Sequence, residues 1–172
     1  MENERVGAIT LLGNELTLVG SELKVGDPAP DFSVLGTDLT SVSLSNYGGK
    51  VKVICLVLSL DTPVCDTEIR RFNESATALG KTVDVLVVSV DLPAAQKRWC
   101  GAAGVSNVTV LSDHKDTSLG KAYGALIKEL RLLSRAVFVI DTTDTVRYVE
   151  YLKEVSKEPD YEAALDAVRS VL

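Results

Sequence analysis

Histidine is almost missing from this sequence and cysteine is scarce: one His, at 114, and three Cys, at 55, 65 and 100, in 172 residues. Zinc sites draw on sets of Cys and His at short spacing. With no Cys-x-x-Cys pair, neither a structural zinc nor the usual dithiol of disulfide exchange is expected. Three cysteines are also too few for a disulfide framework, and a cysteine pair in a reducing compartment is more often catalytic. Nor is there a surplus of positive charge. The formal net charge is −6, which argues against nucleic acid or an anionic membrane surface as the main partner. Long hydrophobic runs are lacking too. The longest, Val51 to Leu60, falls short of the roughly 20 residues that cross a bilayer, and Met1 to Arg5 is polar where a signal peptide would turn apolar. The expectation is a cytoplasmic protein without repeats, linkers or low-complexity tracts.

What is present suits a globule with one core. The sequence is 46% hydrophobic and 24% charged, ordinary for a folded domain, and one domain over residues 1–172 is expected. Two β-prone runs, Val6 to Leu11 and Leu16 to Val19, flank Gly13-Asn14 and predict an N-terminal β-hairpin. Pro28 and Pro30 interrupt regular structure after it. Val51 to Ser59 is nearly all apolar, as a central strand covered on both faces should be, and Cys55 in its middle reads as a small inert core residue. Val83 to Val90 and Val108 to Leu111 read as further strands. Helices are expected from Thr62 to Leu79, from Pro93 to a stop at Gly101, from a cap at Asp116 through Gly124, and after a cap at Asp160. Ser112 to Lys115 reads as polar loop, with His114 solvated. Arg135 to Asp141 alternates, Val137 and Val139 facing one way and Ala136, Phe138 and Ile140 the other, and Thr145 to Leu152 should pair with it. The order implies an α/β protein with a mixed central sheet flanked by helices.

The chemistry concentrates between Leu58 and Phe72. Thr62 suits an N-cap and Pro63 the first helical position. That places Cys65 in the first turn, where free N–H groups and the positive end of the dipole favour an anion. A thiol held as thiolate is the nucleophilic form. The alternative is a buried Cys that happens to open an amphipathic helix, since Ile69, Phe72, Ala76 and Leu79 follow at helical spacing.

Thr62-x-x-Cys65 resembles the peroxidatic-cysteine motif of the peroxiredoxins. The longer string Asp61-Thr62-Pro63-Val64-Cys65, followed by Arg71-Phe72-Asn73, resembles that family's thiol peroxidase branch, an atypical two-cysteine group. Gly26 to Phe32, Ala95-Gln96-Lys97-Arg98 before Cys100, Gly120 to Gly124 and Arg135 to Asp141 are similar as well. Leu58 departs from the family, which usually has there a Pro that shields the Cys. Trp99 stands where Phe is commoner.

The resemblance implies a thioredoxin-like fold and peroxide reduction without a cofactor. It implies that Cys65 attacks the peroxide, that Cys100 resolves it as an intramolecular disulfide, that thioredoxin reduces this disulfide, and that the chain forms a homodimer. Thr62 is expected to hydrogen-bond thiolate and peroxide. Arg135, heading a buried strand, needs a partner: a thiolate with its peroxide would serve, and so would an ordinary carboxylate. Asp61, Asp66 and Glu68 disfavour a nearby thiolate, so their side chains are expected to point away from the sulfur. A disulfide needs Cα atoms roughly 4.4–6.8 Å apart; two separate helices are not expected to meet that at rest, so local unwinding around Cys65, Cys100 or both should accompany it. A thiol–disulfide oxidoreductase without peroxide chemistry and a non-enzymatic binding domain are the other two classes.

Overall fold

Six residues, Val51–Leu56, form the strand on which the others are laid. The computed structural model describes residues 2–172. In chain order the elements are β1 (Glu4–Leu11), β2 (Asn14–Val19), β3 (Val34–Leu35), β4 (Ser41–Val42), β5 (Val51–Leu56), α1 (Pro63–Leu79), β6 (Val83–Ser89), α2 (Pro93–Ala103), β7 (Thr109–Ser112), α3 (Ser118–Ala122), β8 (Leu126–Ile127), β9 (Ala136–Ile140), β10 (Val146–Tyr151) and α4 (Tyr161–Val171). Seven strands form one sheet in the order β10-β9-β5-β6-β7-β3-β4. The β5, β6 and β7 strands run parallel, with α1 and α2 as their crossovers, while β9 pairs with β5 antiparallel. Parallel neighbours require such crossovers, and they place the starts of α1 and α2 side by side beyond the carboxyl ends of β5 and β6.

Every residue of β5 is buried. Val53, Cys55, Val87, Val137 and Val139 share one face with Ile69 and Phe72 of α1 and Ala164 and Val168 of α4. Ile54, Leu56, Leu86, Phe138 and Ile140 line the other, against Phe32, Leu119 and Tyr123. The alternation expected from Arg135 to Asp141 is therefore present, as is the mixed sheet.

The N-terminal hairpin forms, but its turn is Leu12-Gly13, with φ of 51° and 84° and Leu11 opposite Asn14. That is one residue earlier than the Gly-Asn dipeptide suggested. A third strand, β8, pairs with β2; two residues carry no periodicity to betray it. Two helix ends also differ from expectation. Gly101 does not stop α2, which runs on to Ala103 and closes at Gly104 in the left-handed region, whose N–H bonds the Cys100 carbonyl. Cys100 thus lies inside the helix rather than at its end.

Asp116 does not cap α3 either; it is exposed. Asp113, buried in what reads as polar loop, accepts from Leu119 N at 3.1 Å and Gly120 N at 2.7 Å. Only a fold that turns the loop inward could make it the cap. Burial pushes the Asp113 carboxyl up to about 6, against the pull of those N–H groups. A raised folded-state value means that its stabilising contribution is full below the unfolded value and is lost as pH rises through the folded one. Between about pH 4 and 6, stability should thus fall more with rising pH in the parent than in Asp113→Asn. Urea melts of the two proteins test this, and parallel pH slopes would refute it.

Candidate active site

The chain leaves β5 through Val57–Leu60 and enters α1 at a conventional cap. Thr62 is extended (φ −87°, ψ 142°) and its Oγ1 accepts from Cys65 N at 3.4 Å, with Pro63 in the first helical position. The same hydroxyl donates to Ser59 O at 3.2 Å. Its proton is therefore given to the backbone, not to sulfur, in this resting arrangement. Cys65 lies in the first turn and is wholly buried.

Arg135 reaches the sulfur from the residue before β9. Its side chain is buried, and three groups take its protons: Nε donates to Val155 O at 2.9 Å, Nη2 to Cys65 Sγ at 3.3 Å, and Nη1 to the Glu68 carboxylate. Burial opposes the guanidinium charge, but Glu68 and Cys65 outweigh it and hold Arg135 protonated. The two partners weighed for this arginine, thiolate and carboxylate, are both present.

Glu68 corrects the expectation that it points away from the site. It is buried, three residues along the helix from Cys65 and on the same inward stripe. Burial pushes its carboxyl up to about 7 while Arg135 pulls it down, and its Oε1 has no hydrogen-bond partner among the described residues. Asp66 and Asp61 behave as expected: Asp66 accepts from Arg70 Nε at 2.8 Å on the outer side, and Asp61 is exposed. The signal for Glu68 was available, since a carboxylate on an apolar stripe and an arginine heading a buried strand each need a partner.

The three thiols are all free. Cys100 is half-buried and packs with Trp99 against the apolar cluster that contains Cys65; burial pushes its thiol up. Cys55 is fully buried, pushed well up by burial and then by the Glu68 charge. Leu58, in place of the expected proline, is buried in the same apolar cluster as Cys65.

The segment after β10 closes over the arginine. Leu152 N donates to Arg135 O at 3.1 Å, and Val155 N donates to Thr10 O at 3.0 Å, which lays this segment along β1. A cavity of about 400 Å³ lies between Pro63, Val64 and Thr67 of α1 and Ser156, Lys157 and Glu158. Another, of about 450 Å³, is lined by Cys100, Lys97, Asp38 and Tyr47 among others. A sulfur at a helix N-terminus, bonded by a guanidinium, is equipped to act as a nucleophile. The same guanidinium can receive negative charge that develops on an atom bound to the sulfur.

Residues 24–165 match the Redoxin family. The thiol peroxidase of Halalkalibacterium halodurans is 55% identical over 167 residues, which cover 97% of this chain and all of that protein. The thiol peroxidase of Bacillus subtilis is 51% identical over 164 residues, 95% of this chain and 98% of the relative. Among solved structures, a peroxiredoxin-like protein from Aquifex aeolicus superposes with a TM-score of 0.89 at 44% identity, covering 97% of this chain and 99% of its own.

Proposed function

The chain belongs to the Redoxin family and, within it, to the thiol peroxidases, and from that premise we propose that Cys65 is the residue that attacks the peroxide. It is a thiol-dependent peroxidase of the thioredoxin-like fold. The observation that carries the assignment is the Arg135 Nη2 to Cys65 Sγ bond of 3.3 Å at the first turn of α1.

In the proposed reaction the thiolate sulfur attacks one peroxide oxygen. The S–O bond forms as the O–O bond breaks, and the leaving alkoxide or hydroxide takes up the proton that the thiol gave away. Arg135 holds the charge that develops on the departing oxygen, an interaction stronger in the transition state than before it. The Thr62 hydroxyl turns from Ser59 O to the bound peroxide. The resulting sulfenic acid condenses with the Cys100 thiol to a disulfide and water. Hydrogen peroxide and organic hydroperoxides are the substrates. Thioredoxin returns the disulfide to two thiols, and no metal or cofactor takes part.

Cys65 is fully buried and Cys100 half-buried, each held within a helix. Joining them therefore requires the first turn of α1, the α2 helix, or both to unwind. The chain acts as one domain, as a homodimer, in the cytoplasm. These last readings rest on the family and on composition; no helix among the described residues is long and apolar enough to cross a membrane.

One equivalent of peroxide added to the reduced protein, followed by non-reducing peptide mapping, tests the scheme. The expected product is a Cys65–Cys100 link within one chain. A link to Cys55 would overturn the role of Cys100, and an unreacted Cys65 would overturn its role as the attacking residue.

A further inference from the structure

Just before α1, the chain at Ser59–Leu60 is held by a side chain from another loop. Asp91 Oδ1 accepts from Ser59 Oγ at 2.8 Å, and Oδ2 accepts from Leu60 N at 2.9 Å and Ser89 Oγ at 2.7 Å. Asp91 itself stands two residues before Pro93, where α2 begins, and its carbonyl accepts from Ser112 Oγ at 2.5 Å. Gln96, in the first turns of α2, donates through Nε2 to Ser89 Oγ at 3.1 Å and to Leu111 O at 2.8 Å. Cys100 follows Gln96 by four residues, one turn further along the same side of the helix. One carboxylate therefore ties the entry to the helix that carries Cys65 to the entry to the helix that carries Cys100.

We propose that Asp91 is a positioning residue that sets how readily the two cysteine helices unwind, and so divides the reaction between its two steps. The inference rests on the Cys65–Cys100 scheme proposed above. Hydrogen bonds to an ionised acceptor are roughly twice as strong as neutral ones, and three converge on this carboxylate. While they hold, the first turn of α1 stays wound and Cys65 keeps its contact with Arg135, the arrangement that meets peroxide. Disulfide formation needs the opposite: the Ser59–Leu60 entry or the α2 entry must let go. A group that binds only the wound state shifts the population toward it, favouring the first step at the expense of the second.

The two steps are read separately in a single turnover of Asp91→Asn. Asparagine keeps the shape but offers a neutral acceptor and turns an N–H donor toward donors. Trp99, the one tryptophan of the chain, adjoins Cys100 and reports disulfide formation by fluorescence, checked by mass analysis of quenched samples. Disulfide formation should accelerate by about three- to tenfold, and oxidation of Cys65 should slow by a smaller factor, because the wound state remains the larger population. Less Cys65 should be over-oxidised in excess peroxide, because the sulfenic acid is captured sooner. Ser59→Ala, which removes one of the three bonds together with the acceptor of Asp61 N at 3.2 Å but no charge, should shift both steps the same way by less, and it carries the test if the asparagine variant folds poorly.

General weakening of the fold would not move the two steps in opposite directions. Rates that both fall, or that keep the parent's ratio, would overturn the role of Asp91. If the parent itself forms no Cys65–Cys100 link, the scheme fails and this inference with it. If the parent forms the link and the variants keep its ratio, only the role of Asp91 fails.

Discussion

In a Cys65→Ser variant, peroxide turnover is expected to fall to the rate of a protein-free control, with the fold retained. The exchange replaces sulfur by oxygen in a side chain of the same shape, and a serine hydroxyl at a helix N-terminus is far from ionised at neutral pH. The two remaining thiols do not stand in for it. Cys55 has no exposed surface, and burial and the Glu68 charge both act against its thiolate. Cys100 is half-buried and its thiol is pushed up by burial. Arg135 donates to Cys65 alone among the cysteines. A coupled assay with thioredoxin and hydrogen peroxide reads the loss; turnover retained at even a few per cent would mean that another thiol is the nucleophile.

Arg135→Met is expected to do two separable things. First, removal of one preorganised donor to a developing oxyanion typically lowers a rate by about 100- to 1,000-fold, and oxidation of Cys65 should slow by that order. Second, it strands the buried Glu68 carboxylate. Breaking a buried ion pair from one side destabilises by about 3–5 kcal/mol, because the remaining charge is left without compensation. With the pull of Arg135 gone, burial pushes the Glu68 carboxyl up further, and the loss is smaller at lower pH, where the orphaned carboxyl takes up a proton. The double variant Arg135→Met with Glu68→Gln should recover much of the stability and little of the rate. Urea unfolding and stopped-flow oxidation measure the two effects on the same preparations. Joint recovery of stability and rate would show that Arg135 serves the fold and not the chemistry.

The parts of the site that lie along the chain could be read from it. Thr62, Pro63 and Cys65 sit within one helical turn, so cap, first position and thiol are a local pattern, and β5 announces itself by burial on both faces. What escaped depends on distant segments. Glu68 interrupts the apolar stripe of α1 and so needs a buried partner, but which cation meets it depends on Arg135, 67 residues on. Asp113 lies five residues before α3, where no local rule marks a cap; only the inward fold of the loop brings its carboxylate to Leu119 N and Gly120 N. The α2 helix passes through Gly101, because glycine tolerates the helical conformation, and Gly104 offers the left-handed closure. Asp91, beside its prolyl turn, reads as an ordinary loop residue, and the three donors it gathers come from one loop and a strand end.

The complete burial of Cys65 turns this thiol into a clock. An alkylating reagent larger than peroxide meets the sulfur only in those moments when the first turn of α1 stands open. When closing outpaces alkylation, the observed rate is the intrinsic one multiplied by the fraction of time spent open. Cys100, half-exposed in the same molecule, supplies a reference against which reagent and temperature cancel. The labelling ratio of the two cysteines is thus a thermometer of breathing at the catalytic helix, readable on the resting protein with no peroxide present.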